Sequence, residues 1–246
     1  MTTETQRPGL AETRRNAIFR RILVGIDDSP ESSEALRQAA TLATGPLTLL
    51  AAHSPGHVVV GGSTGPAVFL PDERSRIRAE EALERARRDL ARRPTGKIVA
   101  GRAWPALLDE IDGEGDTLVA VGSHGSGRAR GILMGSTATE LIHKAPCSVL
   151  VARTSCKGFP TSVVVGVDGS SESDFADGVA RDIAERFDAT LDRFENVPDP
   201  VGSLVDAAMA ADLLVVGSRG LHGVRALGSV SERVAHEASC SVLIVR

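Results

Sequence analysis

A basic excess is missing from this sequence: 28 lysines and arginines stand against 32 aspartates and glutamates, a formal charge of -4. Without it the chain has no means of neutralising a phosphate backbone, and nucleic acid is excluded as the expected partner. Cysteine is scarce too. Cys147, Cys156 and Cys240 show no CxxC spacing, and any disulfide scheme leaves one of them over, which points to a reduced, cytoplasmic setting. Cys147 and Cys240 each precede an apolar run and read as small core residues. Residues 1–18 hold no apolar stretch of signal-peptide or membrane-span length. With Pro8 and Gly9 among polar neighbours, they are expected to form a disordered tail, and no membrane is expected as partner.

Several chemical motifs are absent or out of context. No Gly-Lys-Ser/Thr occurs, so there is no Walker A loop. Gly61-Gly-Ser-Thr-Gly65 has the spacing of a hydrolase nucleophile elbow, but Pro66 and a non-periodic apolar stretch follow where a helix is required. His53 and His57 stand four apart in a Gly/Pro-rich stretch with no carboxylate base between them, so no metal site is expected. The arginines from Arg74 to Arg93 alternate with Glu73, Glu80, Glu81, Glu84 and Asp89, the pattern of a solvated helix face.

What the sequence does contain is a repeat. Ile22-Leu-Val-Gly-Ile-Asp-Asp-Ser29 recurs as Val163-Val-Val-Gly-Val-Asp-Gly-Ser170, 141 positions on. Leu118-Val-Ala-Val-Gly-Ser-His-Gly125 recurs 95 positions on as Leu213-Leu-Val-Val-Gly-Ser-Arg-Gly220, and His143-Lys-Ala-Pro-Cys-Ser-Val-Leu-Val-Ala-Arg153 recurs 93 positions on as His236-Glu-Ala-Ser-Cys-Ser-Val-Leu-Ile-Val-Arg246. The shrinking offset means that the second copy lacks 46 residues before its glycine segment and two more within it. The expected organisation is a tail over 1–18, a complete unit over 19–153, a linker over 154–161 containing Gly158 and Pro160, and an abridged unit over 162–246.

In the first unit, the β-branched run from Arg21 to Ile26 reads as a buried parallel strand, and Ser29-Pro30-Glu31 starts a helix. Further strands are expected over 47–52, near 97–101, over 117–121 and over 148–152. Pro55 to Pro71 reads as a loop. The helices between carry Ile77, Leu83, Ala86 and Leu90 on one face, then run around 105–111 and over 137–144. The second unit keeps strands over 162–167, 190–195 and 212–216, the last strand, and helices over 171–187 and 201–209; a strand and its following helix are missing. Such alternation predicts an α/β fold of two tandem, doubly wound parallel sheets, Rossmann-like, the second abridged.

Ligands of such sheets bind beyond the strand carboxyl ends where the strand order reverses. There the first unit has Gly122-Ser-His-Gly125, nine residues, then Gly135-Ser136-Thr137. Glycines let the backbone turn, at positive φ where required, and approach a ligand without a Cβ. Ser136 or Thr137 is expected to cap the next helix, Thr137 with Glu140 as a capping box, beside amides that suit a phosphate. Asp27 ends the neighbouring strand. His124 reads equally as a ligand contact and as a replaceable loop residue, since the second copy has Arg219 there.

The Gly-x2-Gly-x9-Gly-Ser pattern, with Val-Gly-Ile-Asp-Asp-Ser before it and Ala-Pro-Cys-Ser-Val-Leu-Val after, resembles the ATP-binding class of the universal stress protein family. The resemblance implies that Asp27 contacts adenosine, that Val121, Gly122 and Gly125 lie along ribose and phosphates, and that Gly135, Ser136 and Thr137 hold phosphates. It implies ATP as ligand, with ADP or AMP as alternatives and Mg2+ as companion of the phosphates, in a stress-response regulator. The second copy offers Asp168, Gly217, Gly220, Gly228 and Ser229, but has seven residues between Gly220 and Gly228, and its deletion is expected to strip a pocket wall. No residue reads as a positioned general base or as a Mg2+ acidic pair, so slow hydrolysis is the most expected by way of catalysis. The alternative is a ligand-free structural or interaction protein that keeps the fold for assembly. The resemblance also implies that the fifth strands, 148–152 and 241–245, pair antiparallel as a pseudo-dimer within one chain, with a homodimer as a further option.

Overall fold

Strand β1 (Arg21–Ile26) sends Ile22, Val24 and Ile26 to one apolar layer and Leu23 to another, so both of its faces are covered. The computed structural model describes residues 18–60, 67–90, 93–111, 117–125, 134–154, 158–218 and 228–246. Ser29 caps helix α1 (Pro30–Leu42), its Oγ accepting from the Ser32 amide at 3.1 Å, with Pro30 in the first turn. There follow β2 (Leu47–His53), β3 (His57–Val60), β4 (Ala67–Leu70), α2 (Glu73–Arg88), β5 (Thr95–Ala100), α3 (Ala103–Glu110), β6 (Thr117–Gly122), α4 (Ser136–Lys144) and β7 (Ser148–Ala152). The second half runs β8 (Ser162–Val167), α5 (Ser171–Phe187), β9 (Thr190–Glu195), α6 (Pro200–Ala208), β10 (Leu213–Gly217), α7 (Ser229–Glu237) and β11 (Ser241–Val245).

Nine strands form one sheet in the order β5-β2-β1-β6-β7-β11-β10-β8-β9. Neighbours within each half are parallel, and β7 meets β11 antiparallel, Leu150 opposite Leu243. The two apolar fifth strands therefore shield each other's edges and relate the halves by a pseudo-two-fold. Helices α1, α2 and α5 cover one face and α3, α4, α6 and α7 the other, and each apolar layer includes residues from both halves. Among the described residues no helix is long and apolar enough to cross a membrane.

The structure corrects three expectations. The Pro55–Pro71 stretch holds a hairpin, with His57 opposite Leu70 and Val60 opposite Ala67; the β-branched run at 58–60 is its signal, masked by surrounding glycine and proline. It pairs with no other strand among the described residues, and its six large apolar side chains are 42–60% exposed. On α2 the buried face is Ala79, Ala82, Leu83 and Ala86, whereas Ile77 is 46% exposed. The expected tail contributes Ile18 to the core packing, while 1–17 lie outside the described residues. The linker is packed in its described part. Phe159 is buried under the Arg37 guanidinium, and Thr161 donates through N and Oγ1 to Asp212 Oδ2 at 2.8 and 2.6 Å.

The abridgement also falls one element earlier than expected: α2 and β5, with the hairpin, have no counterparts among the described residues of the second half. Helix α6 stands where α3 stands. A Cβ on Gly166 of β8 would meet Leu204 Cδ1, as one on Gly25 of β1 would meet Leu107 Cδ1. The new edge β9 is guarded by charge. Arg193 pairs with Asp177 of α5 at 2.7 Å and Arg181 with the same carboxylate at 3.0 Å, over the face that a second helix covers in the first half.

Candidate functional site

Strands β1 and β6 are neighbours, yet the chain runs from β1 toward β2 on one side and from β6 toward β7 on the other. Their carboxyl ends flank a cleft of about 410 Å³, and Asp27, Val121, Gly122, Gly125, Gly135, Ser136 and Thr137 all line it. Ser32, Ala103, Met134 and Ala138 line it as well, without a sequence signal to announce them.

Two close approaches explain the glycines. A Cβ on Gly122 would lie 2.7 Å from the carbonyl carbon of Glu31, where α1 begins, and one on Gly125 would lie 2.7 Å from Asp27 Oδ2. Neither glycine has a left-handed φ, so what is required is space rather than the expected positive φ. Asp27 is oriented by its turn: Oδ1 accepts from the Ser29 amide at 3.0 Å and from Ser29 Oγ at 2.5 Å, and the Asp27 amide donates to Ser32 Oγ at 3.0 Å.

Helix α4 opens at Gly135, and no side chain caps it. The expected cap by Ser136 or Thr137 and the capping box do not form; Glu140 pairs instead with Lys144 at 2.7 Å. By contrast α1, α2, α5 and α6 are each capped by a Ser or Asp side chain. The first amides of α4 are thus left to the cleft. Gly135 N donates to Ser123 O at 2.7 Å and fixes the helix start to the glycine turn. His124 lines the cleft with Nδ1 3.1 Å from Ser123 Oγ, while its buried Nε2 has no hydrogen-bond partner among the described residues.

The second half builds the same features. Asp168, Gly217, Gly228 and Ser229 line a cleft of about 400 Å³, whereas Gly220 and the loop after it lie outside the described residues. Asp168 Oδ1 accepts from the Ser170 amide at 3.0 Å and from its Oγ at 2.6 Å, a Cβ on Gly217 would lie 2.5 Å from Glu172 O, and α7 opens at Gly228 without a side-chain cap. The expected loss of a wall does not occur, because Pro200 and Leu204 of α6 with Phe194, Asn196 and Val197 close that side. Among the described residues no group of three His, Cys, Asp or Glu side chains is placed to hold a metal ion.

Comparison with known proteins bears on both halves. The sequence model of the Universal stress protein family matches residues 18–153 and 191–246. A universal stress protein of Mycobacterium tuberculosis is 31% identical over 92% of this chain and 96% of its own length, and one of Mycolicibacterium smegmatis is 30% identical with the same coverage. Among solved structures, a universal stress protein from Archaeoglobus fulgidus superposes with a TM-score of 0.65 at 15% identity, covering 92% of this chain and 98% of its own, a likeness of fold.

Proposed function

Since the chain belongs to the universal stress protein family, we propose that it is a stress-response regulator whose first domain, 19–153, holds ATP, and whose second domain, 162–246, is an abridged copy. The observation that carries this reading is the convergence of Asp27, the Gly122–Gly125 turn and the uncapped start of α4 on one cleft at the strand-order switch. In this reading the amides of Ser136, Thr137 and Ala138 receive phosphate oxygens, helped by the positive end of the helix dipole. Gly122 and Gly125 let ribose and phosphate approach the backbone, and Asp27 Oδ2 accepts from the adenosine moiety. His124 Nε2 gains a hydrogen-bond partner from the ligand. Mg2+ enters with the triphosphate and is held by it.

The test uses the protein as purified from cells. Heat denaturation followed by anion-exchange chromatography of the supernatant should release adenylate in about one equivalent, and titration calorimetry of the emptied protein with ATP, ADP and AMP should rank ATP first. An emptied, folded protein that takes up none of the three overturns the reading.

A further inference from the structure

We propose that Arg246 is a positioning residue of the first cleft and Arg153 of the second, each reaching across the junction to grip the helix whose amides face the other half's cleft. The inference rests on reading these clefts as binding sites. It gives the abridged half a task that needs no ligand of its own: the first cleft is complete only with the second half folded against it.

Helix α4 has nine residues, so its two ends are about 13 Å apart at 1.5 Å per residue. At its carboxyl end, Leu141 O accepts from the Ala145 amide, but the next carbonyl, that of Ile142, faces Pro146 four residues on, which has no N–H to give. The Arg246 guanidinium supplies the missing donor. It donates to Ile142 O and, at 3.3 Å, to Cys147 O, while the Arg246 amide donates to Ser148 Oγ at 3.1 Å. At the other end, Gly135 is tied to Ser123 O. Helix α4 is therefore held between the glycine turn of its own half and a cation that follows β11.

The pseudo-two-fold repeats the device. Arg153 donates to Ala235 O of α7 at 2.6 Å and to Cys240 O at 3.2 Å, and its amide donates to Ser241 Oγ at 2.9 Å. Each clamp also begins one residue after a carbonyl that receives the first amide of its own half's glycine turn: Ala152 O from Ser123 N at 2.8 Å, Val245 O from Ser218 N at 3.1 Å. A planar fork on two carbonyls fixes direction as well as distance, and its charge complements the negative end of the helix dipole.

Hydrogen exchange on the full chain, without nucleotide, tests the clamp directly. Arg246→Gln should speed exchange of amides 139–142 by roughly tenfold and leave 232–235 unchanged, and Arg153→Gln should do the converse. Calorimetry should show ATP affinity at the first cleft reduced by Arg246→Gln and untouched by Arg153→Gln. Equal acceleration of both helices in either variant, or unchanged 139–142 in Arg246→Gln, overturns the proposal. Should Arg246→Gln fail to fold, Arg246→Lys keeps the charge but not the fork and should give a smaller acceleration confined to 139–142; no acceleration there overturns it as well. A wild-type protein that binds no ATP removes the nucleotide reading alone, and the exchange arms still decide the clamp.

Discussion

The two clefts enclose nearly the same space, about 410 and 400 Å³, although the first half carries a hairpin, a helix and a strand that have no counterparts among the described residues of the second. The difference teaches which elements build a cleft in this fold. Strands β1 and β6, the helices after them and the helix over Gly25 have counterparts in β8 and β10, α5 and α7, and α6 over Gly166. Strand β5 lies beyond β2, and helix α2 packs over β1 and β2 on the face opposite α3 and α4; neither lines the first cleft. What they add is at the rim: Arg85 of α2 pairs with Asp28, next to Asp27. In the second half, which has no counterpart of α2 among its described residues, the position of Asp28 is Gly169, with φ 77 and open space where a Cβ would stand. The carboxylate and its partner have gone together, an exposed pair whose loss costs little.

The sharpest way to break this comparison is at Gly125. Gly125→Val places its Cβ against Asp27 Oδ2, with no backbone of the described residues within 4 Å of that Cβ, so the fold should persist and ATP affinity should fall by at least about a hundredfold. Calorimetry with circular dichroism as the folding control checks this. If the second cleft stays empty, as we expect from the loop shorter by two residues, wild type gives one site and the variant none; a full single site remaining in Gly125→Val would move the ligand to the second half.

A comparison of stability comes next. Gly122→Val and Gly217→Val each drive a side chain into the backbone at the start of the first helix, at Glu31 and at Glu172, and should each cost roughly 2–4 kcal/mol in denaturant unfolding. Similar losses are expected because the glycines that end β6 and β10 do the same work in both halves. Smaller still is the cap. Ser29→Ala and Ser170→Ala should each cost about 1 kcal/mol. Only Ser29→Ala should also weaken ATP binding, since Ser29 orients the Asp27 carboxylate.

The repeat made the succession of strands and helices and the strand end that borders the first cleft readable, because the segments Val-Gly-Ile-Asp-Asp-Ser and Val-Gly-Val-Asp-Gly-Ser mark the same strand end twice. Three things were not legible, each for a physical reason. The hairpin is hidden because local glycine and proline density outweighs two strands of four residues each, His57–Val60 and Ala67–Leu70. The free start of α4 is hidden because Ser136 and Thr137 have the chemistry of caps, and only the backbone shows Gly135 in the cap position. The wall of the second cleft is hidden because deletion arithmetic counts residues and cannot tell which helix was lost; Leu204 over Gly166 identifies the retained one. The Arg153 and Arg246 clamps are visible in sequence only as the shared last letter of a repeat.

At neutral pH the last comparison, at the junction of the halves, is expected to show no effect; it opens only in alkali. Cys147 and Cys240 open the two fifth strands, and burial pushes their thiols up from 9.0 to about 11 and about 12, against the opposing pull of Arg246 and Arg153. The folded-state values lie above those of the unfolded chain, so this contribution to stability is fully present below pH 9 and is lost as pH rises through the folded values. Between pH 9 and 11 the unfolded chain releases these protons and the folded one keeps them, which lowers unfolding free energy by up to about 1.4 kcal/mol per pH unit for each thiol. The sequence contains no tyrosine, which removes a competing titration from the same window. Cys147→Ala and Cys240→Ala should therefore each flatten the alkaline decline of stability, measured by urea unfolding at pH 8, 9 and 10, and by similar amounts. A flattening in one variant and not in the other would show that the junction's pseudo-two-fold holds for the backbone but not for the environment of its two thiols.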